Sequence, residues 1–175
     1  MTIVHKIHIG LFLLLLLSLQ SCGIYSFTGA SIPSGASTFQ VNFFENQAGS
    51  RPGSTVEPGL DRDFTLALQD IILGQTNLNL GNSGGDLVYE GEITQYSITP
   101  MTSTANLTAA QNRLTMSVNL RYFNTNNEED DFETNFSFFY DFPAEKQLYD
   151  IQGPAHDEIF ERITQDIFNE TLAKW

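Results

Sequence analysis

Arg113-Leu114-Thr115-Met116-Ser117-Val118-Asn119-Leu120-Arg121-Tyr122 alternates polar and apolar side chains without a break. In an extended chain successive side chains point to opposite faces, so this period of two describes a strand with one dry face and one wet face. A half-solvated strand of this kind belongs to an antiparallel sheet. The neighbouring segments extend the pattern. Asp86 to Pro100 sets Leu87, Tyr89 and Ile93 against Val88, Glu90, Glu92 and Thr94. Beyond the turn residues Asn124-Thr125-Asn126-Asn127-Glu128, Phe132, Phe136, Phe138, Tyr140 and Phe142 alternate with Glu133, Asn135, Ser137 and Asp141. Met101 to Ala110, rich in Thr and Ala, reads as a long loop between the first two of these strands.

Outward from this meander the elements become shorter. Leu78 to Leu80 reads as a brief strand, and the cluster Gly81-Asn82-Ser83-Gly84-Gly85 favours a hairpin into the strand after it. Phe39, Val41 and Phe43 alternate with Thr38, Gln40 and Asn42, the pattern of another half-buried strand. Gln47 to Gly59, with three Gly and two Pro, is a loop. Leu60, Phe64, Leu68, Ile71 and Ile72 then recur at helical spacing, with Glu57 and Asp61 at the positive end and Gly74 as C-cap. A second helix closes the chain. Pro154 is expected in its first turn, Asp157 and Glu158 near its positive end and Lys174 near its negative end. Ile159, Ile163, Ile167, Phe168 and Leu172 form its buried stripe, and Trp175 follows. This order predicts an α+β two-layer sandwich, an antiparallel-rich mixed sheet with two helices on one face.

The N-terminus carries a different signal. His5 and Lys6 precede an apolar run, Leu11 to Leu17, that is too short to span a bilayer. Leu19-Gln20-Ser21-Cys22 fits the bacterial lipobox, in which the thiol takes a diacylglycerol and the signal is cut just before it. Acylation of the freed amine, with palmitate for example, adds a further chain, and several chains anchor stably where one is marginal. A plain signal peptide with an incidental thiol is the alternative, and it would leave the chain's one Cys unpaired after export. The expected organisation is a signal peptide over 1–21, a lipidated tether over 22–36 and one domain over 37–175. Of the eight Lys and Arg, Lys6 precedes Cys22, whereas all 21 acidic residues follow it, leaving −14 from Cys22 onward. That balance argues against nucleic acid as a partner and against flat docking on anionic lipid heads.

Chemistry is sparse. After Cys22 only His156 remains of the three histidines, and its acidic helical setting reads as a solvated surface residue rather than the base of a triad. There is no second thiol or imidazole for a zinc site and no phosphate loop. Glu90 and Glu92 share one strand face, as an acid–base pair or cation site would require, but also as the wet face of a sheet does. Glu128 to Asp131 reads as a solvated hairpin tip. No catalytic residue, metal or cofactor is implied. Phe123 and Phe139 fall on the otherwise polar faces of their strands. With Tyr25 and Phe27 they form either an apolar patch for a partner or a surface covered by the folded-back tether.

The stretches Cys22 to Pro33, Gln75 to Leu80, Gly91 to Pro100 and Asn112 to Thr115, with the Glu90-Gly91-Glu92-Ile93 strand, resemble one family. It is the LptE-type lipopolysaccharide-assembly lipoproteins in the form carried by Bacteroidetes. The resemblance implies two helices on a mixed sheet and an outer-membrane, lipid-anchored protein on the periplasmic side. It also implies a plug in the lumen of an LptD-type β-barrel, the two together delivering lipopolysaccharide to the outer leaflet, with no catalytic step in this subunit. Better-known proteobacterial members are associated with basic residues contacting lipopolysaccharide. Here no basic cluster matches those positions, and Arg113 and Arg121 share one strand face without other cations. A periplasmic or surface-exposed binding lipoprotein of other specificity is the competing reading. Surface export goes with acidic residues just after the cysteine, and Gly23 to Phe27 has none.

Overall fold

The alternating stretch is the middle of strand β5 (Gln111–Asn124), which lies antiparallel between β4 (Leu87–Met101) and β6 (Phe132–Pro143). The structure, a computed structural model, describes residues 30–101 and 110–173. The expected signal peptide, Cys22, Tyr25, Phe27, most of the Met101 to Ala110 loop, Lys174 and Trp175 lie outside the described residues. Three short strands complete the sheet in parallel pairings. β1 (Thr38–Val41) runs between β3 (Asn79–Leu80) and β4, and β2 (Glu45–Asn46) pairs with β4 further along. The resulting sheet is mixed, six-stranded and open, in the order β3-β1-β4-β5-β6. With helices α1 (Leu60–Gln75) and α2 (Leu148–Leu172) it makes the expected α+β fold.

Several local expectations are corrected. Gly81 to Gly85 does not close a hairpin, because β3 and β4 run parallel on opposite sides of β1. The chain instead crosses the polar side of β1, where Gly85 N–H donates to the Gln40 side chain and Asp86 N–H to Thr38 Oγ1. A Cβ at Gly85 would stand 2.8 Å from Gln40 N and 2.9 Å from Phe39 C, so only glycine permits this crossing. One carboxylate oxygen of Asp86 then accepts the backbone N–H and hydroxyl of both Ser37 and Thr38 at 2.8–3.1 Å. These bonds, led by the Ser37 N–H, hold the Asp86 carboxyl down at about 2.

The strand expected to include Phe43 ends at Val41. Asn42 N–H donates to Tyr89 O and the chain turns, leaving Phe43 57% exposed while Phe44 is buried, edge-on to Phe64 at 5.3 Å. In β4 a bulge between Ile93 and Gln95 shifts the parity, so Tyr96 and Ile98 continue the apolar face begun by Leu87, Tyr89 and Ile93.

The helix ends also differ. Gly74 is inside α1; the helix stops at Thr76, whose N–H and Oγ1 both donate to Ile72 O. α2 begins at Leu148, well before Pro154, because Gln147 and Asp150 form a capping box that satisfies the first amides. Pro154 is therefore internal, and Asp157 and Glu158 lie in the helix body, not at its positive end.

Both helices bury their stripes on the sheet's apolar face. Phe64, Leu68 and Ile72 of α1 and Ile159, Ile163, Ile167, Phe168 and Leu172 of α2 join Leu114, Met116, Val118 and Leu120 in one core. Each such side chain contributes about 1.5–3 kcal/mol by leaving water. Cover thins toward β6, where Phe132, Phe136, Phe138 and Tyr140 are only half-buried. Ala30, Ile32 and Ala36, in the segment expected to be a tether, pack against the core, and Ser31 N–H donates to Leu172 O at the end of α2. No described helix is long and apolar enough to cross a membrane.

Candidate interaction surface

The sheet face turned away from the helices carries the polar half of each alternation, and those side chains are joined across strands. Arg121 lies between the two carboxylates of β4, with Nε 3.2 Å from Glu90 and Nη1 2.9 Å from Glu92. Asn119 donates to Glu92 at 3.1 Å and to Glu133 on β6 at 2.6 Å, and Asn42 donates to Glu90 at 3.1 Å. Arg113 grips Asp141 with two parallel bonds of 2.7 and 2.8 Å, which hold that carboxyl below its usual range. Arg113 and Arg121 thus share the face without other cations, as expected, but each has acidic partners. Both are consumed by carboxylates, because the antiparallel register sets Arg121 opposite Glu90 and Arg113 opposite Asp141.

This pairing decides what the face can recognise. Two guanidiniums pair with three carboxylates, Glu90, Glu92 and Asp141, and Glu133 is held only by Asn119, so the face is acidic after every pair is made. An anionic phosphate would have to displace one of them. A depression of about 260 Å³ beside Glu45, Glu90, Glu92 and Arg121 has the same acidic character. No group of three or more His, Cys, Asp or Glu among the described residues is arranged to hold a metal ion.

Phe123 and Phe139 do lie on this face, 37% and 40% exposed. They do not form one patch. Phe123 pairs with Val88 at one end of β5, and Phe139 pairs with Thr115 eight residues away, about 26 Å at the strand rise. Phe139 is covered on one side by the Arg113 guanidinium, 3.5 Å from its ring centroid. The surface therefore has an aromatic site at each end and a polar network between them.

His156 is not the solvated residue its sequence suggests. It is half-buried, with Nε2 2.8 Å from the Tyr96 hydroxyl and its ring stacked on Phe160 at 5.1 Å. Burial pushes its pKa below the ordinary histidine value, against the opposing pull of Glu57, Asp63 and Asp157. Its hydrogen-bonding partner is a tyrosine whose own pKa burial pushes up, so the described contacts join a neutral imidazole to a neutral phenol. That pair closes the boundary between α2 and the sheet. Sequence reasoning missed it because Tyr96 lies 60 positions away; the parity shift from Ile93 to Tyr96 was the one signal that the ring faces α2.

Comparison with known proteins gives one family. The model of the LptE family, described as lipopolysaccharide-assembly, matches residues 36–171. No curated protein sequence matches. Among solved structures, a hypothetical protein from Chlamydia trachomatis is similar with a TM-score of 0.52 at 11% identity, covering 79% of this chain and 99% of that one. A minor lipoprotein from Acinetobacter baumannii is similar at 12% identity, covering 80% and 98% of the two chains with a TM-score of 0.46. Rare lipoprotein B from Shewanella oneidensis covers 75% and 89% at 11% identity with a TM-score of 0.43. At these identities the Chlamydia structure supports the fold alone.

Proposed function

Since the chain belongs to the LptE family of lipopolysaccharide-assembly proteins, we propose that it is the lipid-anchored, non-catalytic partner of an LptD-type outer-membrane β-barrel. In this reading Cys22 carries the lipid, the domain lies on the periplasmic side of the outer membrane, and it enters the barrel lumen as plug and assembly subunit. The observation that carries the reading is the family match, which spans every described strand, α1 and all but the last residue of α2. The surface supports it. A plug needs a rigid body with a hydrogen-bonded polar exterior, and the network from Asn42 through Arg121 to Glu133 supplies one. The sheet's outer face, with both arginines neutralised, favours a protein partner over direct capture of an anionic glycolipid.

The test is affinity purification of the full chain from detergent-solubilised membranes, with the co-purifying proteins identified. A stoichiometric LptD-type barrel is expected. Recovery of the chain from the membrane without any such barrel would replace this reading by a binding lipoprotein of other specificity.

A further inference from the structure

The sheet is open, and its longest unpaired border is β6. In the sheet order β3-β1-β4-β5-β6 no described strand lies on the far side of its twelve residues. Its pairing with β5 runs from Gln111↔Pro143 to Tyr122↔Phe132 without a bulge. The hydrogen-bonding phase follows from one bond. Ala144 N–H donates to Ala110 O, so the rung just past Gln111↔Pro143 is a bonded one. Bonded rungs alternate in an antiparallel pair, so the even-numbered residues of β6 direct their amides to β5. Thr94 Oγ1 fits this phase, donating to Ser117 O on the β4 side of β5. Glu133, Asn135, Ser137, Phe139 and Asp141 therefore direct N–H and C=O groups to the free border.

Most long edge strands are blunted by Pro, a bulge or a charge pointing inward. Neither Pro nor a bulge interrupts β6 before its terminal Pro143, and the only charges along it are Glu133 and Asp141. Its helix-side row, Phe136, Phe138 and Tyr140, is moreover only half-covered by α2. An added strand would satisfy the free backbone groups and cover those rings together. We propose that the β6 border takes up an extended segment of the barrel partner as a further strand. The inference rests on the function proposed above.

Charge selects the occupant. Asp141 is already bonded to Arg113, so the uncompensated charge along the border is Glu133, held only by the neutral Asn119 amide. A segment with Lys or Arg opposite it makes an ion pair that a second copy paired antiparallel about Ser137, presenting Asp141 there, does not. The segment is thus basic opposite Glu133 and apolar on the side of Phe136, Phe138 and Tyr140. The strands of a closed barrel wall have no free edge, so it belongs to a loop or terminal arm of the partner.

The register supplies the variants. Asn135→Pro removes an outward N–H and leaves the β5 ladder intact, a position where edge strands tolerate proline. Thr134→Pro removes an inward one and serves as the folding control. With the full chain in membranes, Asn135→Pro should melt within a few degrees of the parent yet retain about tenfold less barrel, the equivalent of ~1.4 kcal/mol. A photo-crosslinker at Asn135 should join the barrel at one extended segment. If the parent captures the barrel and a folded Asn135→Pro captures as much, the edge proposal is overturned while the assembly role stands. If the parent captures none, the assembly role itself falls. Self-association abolished by Asn135→Pro, with barrel capture unchanged, assigns the border to a second copy and equally overturns the proposal.

Discussion

Replacing Gly91 by Ala tests the packing of the sheet against its own connecting loop. Gly91 is buried in β4 opposite Leu120, and a methyl group there would fall on Asn119 O, 3.1 Å from Asn119 C and 2.8 Å from Cε1 of the buried Phe44 ring. The ring fills the space a side chain would use, and the carbonyl belongs to the central strand. The carbonyl yields only with the backbone of β5, and the buried ring only by giving up its edge-on contact with Phe64. Overpacking at one such contact costs about 1–3 kcal/mol, and two rigid contacts place Gly91→Ala at the upper end, about 3 kcal/mol. At about 2–4 °C per kcal/mol for a domain of this size, the midpoint should fall by roughly 6–12 °C. Gly74→Ala is the matched control. Its added methyl meets nothing within 4 Å, and the site is the last turn of α1, so the change should stabilise by about 0.5–1 kcal/mol through helix propensity. Thermal unfolding of the domain followed by circular dichroism reads both. Equal midpoints for Gly91→Ala and the parent would refute the packing around Phe44, and a loss at Gly74 would refute the account of α1.

Three further outcomes are expected. Cys22→Ala should abolish labelling by a fatty-acid probe and release any processed chain from the membrane; persistent labelling would exclude lipidation at Cys22. Because His156 is held neutral by burial, the unfolded chain binds its proton first as pH falls, so this group's stabilisation is present above about pH 6.5 and declines below it. His156→Gln should flatten that slope in urea midpoints taken between pH 7 and 5, while lipopolysaccharide levels at matched protein abundance stay normal; a severe transport defect would point to catalysis at the imidazole. Phe123→Ser with Phe139→Ser should leave the domain folded, the loss of the Arg113 contact costing about 0.5–1 kcal/mol, and the single variants should show which end of the sheet meets the barrel in co-purification. Unfolding of the double variant would make those rings core.

The parts of the fold legible in the sequence were those whose partners are close in the chain. β4, β5 and β6 announce themselves by alternation because each half-buried strand pairs with its neighbour in sequence, and the α2 stripe from Ile159 to Leu172 is similarly explicit. β1 was legible as a strand but not in its place. Its four residues pair with segments some 40 positions later, and the glycines that let the chain cross it look like a hairpin turn. The start of α2 was missed because Pro154 outweighed Gln147 and Asp150, a box without the usual Ser or Thr. At the surface, alternation was enough to put Phe123 and Phe139 on the polar face. Their separation, and the capture of Arg113 and Arg121 by carboxylates, depend on cross-strand register, which a single strand's pattern does not contain.

The position of β1 has a mechanical meaning. A pull on the chain at residue 30 reaches first the Ser31 to Leu172 bond and the small apolar residues beneath it, and then β1. β1 is not a peripheral strand to be peeled off rung by rung. It is held on both sides by parallel neighbours, crossed by the Gly81 to Gly85 connection and fastened at its entry by the four bonds to Asp86. Tension along it has to shear two ladders at once. If the chain is anchored at Cys22 as proposed, the body can be tugged from its N-terminus without the sheet beginning to unravel at residue 38.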